Sequence, residues 1–535
     1  MKKLYILLVY LAAILLLLSS CVEENFTGVV FYDVDNDSLY TANDIPIPDV
    51  QVSDGLNIVI TNEKGIFKLP KSDAEFIYIT KPSGYDLPLE RNCIPVFYKK
   101  VEESTEIYNF ILRSSSIVDD FTAIIMNDIH LEVNLGEGGW CPNQDPVETF
   151  NEYIDEFISL DPRPDFFISV GDQSGVWPDN TERLEEYVIA CSRLGVPVYN
   201  AMGNPGHNDS DLDRVFFKNA YRSYFGPLYY SFDYGNYHFI VLDTNIIWGD
   251  HGKNLAFGLD EKQYEWFMKD LELNKEKCLL VFYHEPIDNT ENQLEYWFKV
   301  MAGKKPDVWL EKEKVLALLD AYNVAATFAG HTHTNGLYEE AGTIFVTNGA
   351  VCGAWWGPKF NGFMYPFYPE YEENEINAGP DGTPQGYRIL SAYPTLFSTS
   401  YKAFRDEARI TFANPTSTYI GSGKLSFTDL DMINFYTFCI NVAKNGDPIS
   451  TSTFAMKPLR GVIPLLLNAY SIYPIQKVEY RIDIGEWSEA EQIGGLMWNS
   501  QIETSDLMPG LHVITARLVD DQGEYSSQMA IIVGL

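Results

Sequence analysis

The middle of the chain alternates short apolar runs with segments whose apolar residues recur at helical spacing. Runs that are apolar throughout are typical of strands covered on both faces. The predicted strands are Phe121–Met126, Phe166–Val170, Val196–Met202, Tyr237–Leu242, Cys278–Tyr283 and Val324–Ala329. Helices are predicted around residues 150–158 and 184–191, and a third begins at Asp260, which with Gln263 is a capping pair. Its predicted buried stripe is Tyr264, Phe267, Met268 and Leu271. This alternation predicts an α/β domain.

Both flanks of this domain lack helical spacing and are predicted to be β-structure. Residues 26 to about 113 contain short alternating strands such as Leu56–Ile60 and Phe76–Ile79, separated by Asp, Asn, Gly and Pro turns. The sequence of this region resembles prealbumin-like sandwich modules. From about Arg388, alternating segments such as 478–483 and 513–519 predict a second β-sandwich. We therefore place a leader at 1–21, β-sandwiches at 22–116 and 388–535, and the α/β domain at 117–387.

The first residues carry a targeting signal. Lys2 and Lys3 precede an apolar run from Leu4 to Leu18, which is short for a membrane-spanning helix but typical of a signal peptide. The sequence Leu18-Ser-Ser-Cys21 resembles a bacterial lipobox, which implies lipidation of Cys21 and an exported protein anchored to the envelope, at the outer membrane. The acidic pair after Cys21 resembles a surface-export tag. The alternative is an uncleaved anchor helix in which Cys21 is incidental.

Charge narrows the range of partners. The chain of 535 residues has 38 basic and 75 acidic residues, a formal charge of −37. Such a surface repels phosphate backbones, so a nucleic-acid partner is disfavoured, whereas bound metal ions can reverse the sign locally for a small phosphorylated substrate. The six cysteines beyond Cys21 are sparse and form no C-x-x-C pair, so neither a thiolate metal site nor a disulfide framework is predicted.

Polar clusters follow five of the six predicted strands. The residues concerned are Asp128 and His130, Asp172, Asn204 and His207, His284, and His331 and His333. Ligands bind at the carboxyl ends of strands in open α/β sheets, and residues i and i+2 of an extended segment face the same way. Imidazole nitrogens and carboxylate oxygens are ligands that zinc, iron and manganese prefer. Glycines beside Asp172, Asn204 and His331 allow close backbone approach to an ion.

The histidine count strengthens this interpretation. Of the 8 histidines in the chain, five belong to these strand-end clusters, and His251 lies in another polar loop of the same domain. A single histidine of this kind is more often structural than a ligand. Five at successive strand ends favour a metal site.

The motifs D-x-H, G-D, G-N…H, H and G-H-x-H, in this order, resemble the calcineurin-like metallophosphoesterases. The resemblance covers residues 121 to about 350. It implies a central four-layer α/β/β/α sandwich, here flanked by two all-β sandwich domains. The segments 225–232 and 381–387 resemble a bacterial lipoprotein branch with N- and C-terminal β-domains.

The resemblance also implies roles for individual residues. Asp128, His130 and His333 would hold one divalent ion, Asn204, His284 and His331 the other, and Asp172 would bridge both. The ions would be Mn, Zn, Fe or Mg, and they would share a bridging hydroxide. His207 would protonate the departing alkoxide as general acid.

One departure from the family pattern affects His207. The family has histidine directly after the asparagine, whereas here Pro205-Gly206 intervenes. The insertion leaves Asn204 as a ligand but puts the role of His207, and hence the activity, in question. The purple acid phosphatase branch fits less well, because that branch has glycine in place of His130 and a tyrosine ligand that residues 171–174 do not offer.

Two weaker signals lie outside these motifs. Asp33, Asp35 and Asp37, with Asp44 at the twelfth position, resemble a calcium loop in which Ser38 replaces the expected glycine. The alternative is that these residues are ordinary acidic turn residues of a β-domain, which give the same sequence pattern. Trp355 and Trp356 follow the last motif and form either a substrate platform for a sugar or base, or part of the core.

The predicted function is therefore metal-dependent hydrolysis of a phosphate mono- or diester on a small molecule, lipid or glycan outside the cytoplasm. Two alternatives remain open. One is a surface-binding lipoprotein with a degenerate phosphoesterase core. The other is a phospholipid or nucleotide-sugar pyrophosphatase.

Overall fold

The computed structural model describes twelve segments of the chain: residues 24–105, 107–115, 120–131, 145–174, 181–204, 214–252, 254–287, 309–353, 382–394, 396–414, 461–508 and 510–533. The predicted leader and Cys21 lie outside them. Among the helices of these segments, none has both the length and the apolar character that crossing a bilayer requires.

The N-terminal region is a β-sandwich. Its strands are β1 (Asn25–Tyr32), β2 (Ile45–Pro46), β3 (Gln51–Ser53), β4 (Ile58–Ile60), β5 (Ile66–Pro70), β6 (Phe76–Ile79), β7 (Tyr85–Asp86), β8 (Leu89–Glu90), β9 (Ile94–Pro95), β10 (Tyr98–Lys100) and β11 (Phe110–Ser114). One sheet has the order β2-β1-β11-β7 with β5 paired to β1, and the other has the order β10-β6-β3-β4. Val30, Phe67 and Ile77, from both sheets, share one core.

The central region contains the helices. Its strands are β12 (Phe121–Met126), β13 (Phe166–Val170), β14 (Val198–Ala201), β15 (Tyr230–Tyr234), β16 (Tyr237–Val241), β17 (Asn245–Trp248), β18 (Asn254–Phe257), β19 (Cys278–Phe282), β20 (Ala326–Ala329), β21 (Gly336–Glu340), β22 (Thr343–Thr347), β23 (Gly386–Ala392) and β24 (Phe397–Ala403). Its helices are α1 (Pro146–Ser159), α2 (Glu182–Cys191), α3 (Arg214–Phe225), α4 (Glu261–Asn274) and α5 (Lys312–Ala321).

Two sheets form the middle layers of this domain. The first has the order β14-β13-β12-β23-β24 and the second β15-β16-β19-β20-β22-β21. Along β12, Ala123 and Ile125 share a core with the second sheet, whereas Ile124 and Met126 pack with the residues of α1 and α2. On the other side, Trp266, Phe267 and Leu271 of α4 join the core of the second sheet. The predicted four-layer α/β/β/α fold is confirmed.

The first sheet extends beyond the motif-bearing strands. β23 pairs antiparallel with β12, and β24 pairs antiparallel with β23. The sheet therefore continues past residue 387, where the sequence pattern placed the end of the central domain, because this hairpin completes its edge.

The last region is a second β-sandwich. Its strands are β25 (Ala408–Asn414), β26 (Val462–Ser471), β27 (Ile475–Ile482), β28 (Ser488–Glu489), β29 (Glu491–Gly494), β30 (Met497–Glu503), β31 (Gly510–Asp520) and β32 (Glu524–Val533). They form sheets of order β25-β26-β30-β29 and β28-β27-β31-β32. Leu465, Val478 and Leu518 lie in their common core.

The N-terminal sandwich packs against the second central sheet. The Lys81 ammonium donates to the Asp233 carbonyl (2.6 Å), and the hydroxyls of Thr80 and Ser231 are 2.9 Å apart. The Trp266 indole N–H donates to the Ser53 hydroxyl (3.1 Å). These three contacts are buried, so each satisfies polar groups that the interface removes from water.

Candidate metal centre

The motif residues lie on loops that leave the same edge of the two sheets. β12, β13 and β14 are parallel neighbours in the first sheet, and β19 and β20 are parallel neighbours in the second. Their carboxyl ends carry Asp128, His130, Asp172, Asn204, His284, His331 and His333. The structure brings all seven side chains into one cluster.

One half of the cluster is built from Asp128, His130 and His333. The Nε2 atoms of the two histidines are 3.1 Å apart, and His333 Nε2 is 3.3 Å from Asp128 Oδ1. His130 Nε2 is also 3.7 Å from Asp172 Oδ2. One ligand atom each of Asp128, His130 and Asp172 lies within 4.8 Å of the others, which is close enough to share one ion.

The other half is built around the same Asp172. Its Oδ2 is 3.2 Å from His284 Nε2 and 3.1 Å from the Asn204 amide nitrogen. That nitrogen is also 3.0 Å from His331 Nδ1. Asp172, His284 and His331 form a second group within 4.8 Å, so Asp172 lies between two groups, as the predicted bridging role requires. The Asn204 carbonyl oxygen, the atom that would bind a cation, exchanges places with the nitrogen by a half-turn of the amide.

Backbone carbonyls fix the orientation of two of the rings. His284 Nδ1 is 2.8 Å from the Val170 carbonyl, and His333 Nδ1 is 2.8 Å from the Gly353 carbonyl. A carbonyl only accepts, so each Nδ1 carries the proton and donates it. In the neutral ring, Nε2 then directs its lone pair into the cluster, the arrangement of a metal-ligating histidine.

The buried cluster contains two ionised carboxylates, which positive charge nearby would stabilise. Burial alone would raise the pKa values of Asp128 and Asp172, but neighbouring histidines outweigh it: chiefly His333 lowers the pKa of Asp128 well below its usual range, and His284 lowers that of Asp172. Burial lowers the pKa of His284, yet Asp172 and Asp128 raise it to about 10. In the metal-free protein, a proton on His284 therefore supplies part of the positive charge that the ionised carboxylates need.

The cluster is held by strained backbone. Five of its residues adopt left-handed φ angles: Asp128 (49°), His130 (51°), Asp172 (50°), His331 (68°) and His333 (57°). Each such residue costs about 1 kcal/mol or more, and strain of this kind concentrates at functional sites. The fold therefore holds these side chains together at a cost in backbone conformational energy.

Glycines beside the ligands also make room for their side chains. A Cβ on Gly203 would lie 1.9 Å from Asp172 Oδ1, and one on Gly330 would lie 2.6 Å from Asp128 Oδ2. Gly171 has φ +91°, and its Cβ would lie 2.4 Å from His284 Nδ1. Any side chain at these positions would displace a ligand.

Several buried residues beside the cluster carry no motif signal. Glu285 lies directly after His284, and burial raises its pKa to about 7. Among the described residues its Oε1 has no hydrogen-bond partner, while the Thr244 hydroxyl donates to its Oε2. Arg388, on β23, donates from Nε to Asn348 Oδ1 (2.6 Å) and from Nη2 to Asn335, which lies two residues after His333. The burial of Glu285 and Arg388 depends on the packing of distant segments, which the sequence does not show. The only signal in the sequence for Glu285 is its position directly after His284.

Cys352 lies next to the cluster although no thiolate site was predicted. It forms a possible ligand group with His130 and His333. Its Sγ, however, is 3.8 Å from His333 Nδ1, the atom that donates to Gly353. The thiol therefore lies beside the nitrogen of His333 that already donates to a carbonyl, and it is also within 4.8 Å of a ring nitrogen of His130.

The remaining predicted site residues lie elsewhere. His207, the predicted general acid, and Trp355 and Trp356, the predicted platform, fall outside the described residues, as does the Pro205-Gly206 insertion. His251 is exposed and is not part of the cluster.

Comparison with known proteins identifies this arrangement. Residues 121–335 match the family model described as calcineurin-like phosphoesterase, and residues 34–115 match the model of the N terminal of calcineurin-like phosphoesterase. The chain belongs to the calcineurin-like phosphoesterase family. The strand-end clusters of the calcineurin-like domain are its candidate metal-binding groups.

More distant similarities accompany the family match. Purple acid phosphatase 15 of Arabidopsis thaliana is 27% identical over 129 residues, which is 24% of this chain and 20% of that protein, so the match spans a fifth of the relative's length. The purple acid phosphatase PPD1 of Lupinus luteus has 16% identity and a TM-score of 0.38, covering 66% of this chain and 67% of its own. GAP50 of Plasmodium has 12% identity and a TM-score of 0.32, covering 53% and 85%.

Proposed function

We propose that the calcineurin-like domain hydrolyses a phosphate mono- or diester at a site that holds two divalent metal ions. The observation that carries this proposal is the pair of ligand groups that share Asp172. Asp128, His130 and His333 would hold one ion, and Asn204, His284 and His331 the other. The ions, when bound, would supply electrophilic catalysis and stabilise the charge of the transition state.

The residues of the chain would hold the ions in place and attract the substrate. Asp128 and His284 are fully buried and keep their ligand atoms fixed, whereas Asn204 and His331 are half-buried and lie toward solvent, where a substrate would enter. The donors carry only the two negative charges of Asp128 and Asp172, so the loaded centre is net positive. This local sign would attract a phosphate despite the charge of the whole chain, −37. His207 would act as the general acid.

The same proposal includes the location of the enzyme. The apolar run 4–18 and the lipobox-like Leu18-Ser-Ser-Cys21 support export and a lipid anchor in the bacterial envelope, as in the lipoprotein branch that the sequence resembles. The substrate would then be a phosphorylated small molecule, lipid or glycan outside the cytoplasm.

The test uses purified protein, its metal content and chromogenic phosphate esters. We expect metal-dependent turnover that Asp172→Asn lowers more than about 100-fold, because even partners that only orient a ligand cost about 10–100-fold. Asp320→Asn, at an exposed carboxylate of α5, is the matched control and should leave turnover unchanged. Metal-free protein without turnover would favour the binding lipoprotein instead, and turnover of pyrophosphate diesters alone would favour the pyrophosphatase.

A further inference from the structure

The loop between β1 and β2 gathers carboxylates at one point of the N-terminal sandwich. Asp33 directly follows β1, and Asp44 directly precedes β2. One carboxylate oxygen each of Asp33, Asp35 and Asp44 lies within 4.8 Å of the others. Acidic groups often gather on a surface without any ligand, so this proximity alone does not indicate a site.

A buried atom without a partner distinguishes this cluster. Asp33 is only 1% exposed, and among the described residues its Oδ1 has no hydrogen-bond partner. Leaving a buried carboxylate oxygen unpaired costs about 1–3 kcal/mol or more. Because the same side chain belongs to the carboxylate group, a cation between the three acids would satisfy that oxygen.

The charges of the loop support the same conclusion. Asp33, Asp35 and Asp44 bring their carboxylates to one point of the loop, so their negative charges repel one another. Repulsion of this kind disappears when a cation lies between the acids. The Asp44 carboxylate accepts from the Thr41 and Val34 amides, which orient it, and its remaining lone pairs are available to an ion.

The backbone resolves the one departure from the calcium-loop pattern. The sixth position usually holds glycine because the chain turns sharply there. Ser38 occupies that position with φ 65°, the left-handed conformation that glycine adopts most easily, and its amide donates to Asp33 Oδ2 (3.1 Å). Serine therefore makes the turn that the loop requires.

We propose that residues 33–44 bind one calcium ion through Asp33, Asp35 and Asp44. The ion would close the β1–β2 connection and stabilise the N-terminal sandwich. The site is separate from the candidate metal centre and does not depend on the proposed activity.

The test is a titration of the full-length protein with terbium, excited through tyrosine, followed by displacement with calcium. The candidate metal centre is first filled with manganese so that it does not contribute. We expect one terbium site that calcium displaces, with a calcium Kd of about 10⁻⁴–10⁻³ M, the range of extracellular modules. Tyr40 lies within the loop and can sensitise the emission.

Two variants decide the assignment. Asp35 is exposed, so Asp35→Asn should fold normally and weaken calcium binding at least about tenfold. Glu63→Gln, at an exposed turn of the same sandwich, should bind as the parent does. Calcium should raise the thermal midpoint of the parent and Glu63→Gln proteins more than that of Asp35→Asn. Equal affinity in all three proteins, or no displacement by 10 mM calcium, would overturn the proposal.

Discussion

The imidazoles of His130 and His333 lie with their Nε2 atoms 3.1 Å apart, although they follow strands of different sheets. His333 carries its proton on Nδ1, which donates to the Gly353 carbonyl, so its Nε2 lone pair is directed at the other ring. His333 Nε2 is also 3.3 Å from Asp128 Oδ1, so three ligand atoms converge on one point. A divalent ion at that point would bind all three.

His333→Ala should therefore lower the metal content of the purified protein and reduce turnover more than about 100-fold. Elemental analysis of the dialysed protein measures the first effect, and phosphate-ester hydrolysis measures the second. His251→Ala is the matched control, because His251 is an exposed histidine of the same domain outside the cluster. Equal metal content in the two variants would contradict the role given to His333.

Gly171→Ala should abolish activity by steric displacement of a ligand. The added Cβ would lie 2.4 Å from His284 Nδ1, which must move away from the Val170 carbonyl. Gly342→Ala is the control, because Gly342 has a similar φ (+82° against +91°) and nothing within 4 Å of the added Cβ. The control should lose about 1 kcal/mol of stability and keep its activity. If both variants retained turnover, the close packing behind His284 would not matter for catalysis.

Cys352→Ala should leave metal content and turnover within about twofold of the parent. The thiol faces the Nδ1 side of His333, and the cost of its removal is limited to packing, on the order of 1 kcal/mol. Metal analysis and a urea denaturation curve measure the two quantities. Loss of one metal equivalent from this variant would make Cys352 a ligand after all.

His238 should make stability depend on pH. Its buried ring lies between Asp233 (2.7 Å) and Asp270 (2.8 Å), with Lys277 beside Asp233. Burial lowers its pKa, but the two carboxylates raise it to about 9, above the usual 6.5. The stabilisation is therefore complete below about pH 6.5 and is lost as the pH rises through about 9; its size is roughly 3 kcal/mol.

Urea denaturation of the parent and of His238→Gln, at pH 6 and pH 10, measures the stabilisation that the charged His238 contributes. The difference in unfolding free energy should be larger at pH 6. His251→Gln, at an exposed histidine of the same domain, is the matched control. A difference that grows from pH 6 to pH 10 would mean that the buried His238 is neutral.

The sequence predicted the central strands because their apolar pattern follows from burial on both faces. β12 and β13 have the predicted bounds, and β14 and β20 are shorter by two residues at the start. The apolar pattern extends beyond the paired segment because residues such as Val324 are buried before the strand begins. The helices α3 and α5 were not predicted, nor was the hairpin of β23 and β24 at the sheet edge.

Helix α4 shows where apolar periodicity fails. Asp260 caps it as predicted and accepts from the Gln263 amide (2.8 Å). The buried face, however, includes Asp270, whereas Met268 of the predicted stripe is 39% exposed. Asp270 is buried because it is paired with His238, and a pairing between distant segments leaves no signal in the local pattern.

The site shows the same limit. The identity of its residues could be predicted because ligand types recur at strand ends beside glycine. Their left-handed backbone and the buried neighbours Glu285 and Arg388 could not, since both result from packing between the two sheets.

The most direct test of the central claim is anomalous diffraction from crystals of the protein grown with manganese. We predict two anomalous peaks that flank Asp172, one beside Asp128, His130 and His333, the other beside Asn204, His284 and His331. A map with no peak among these seven side chains would contradict the account, because the proposed hydrolysis would then have no metal centre.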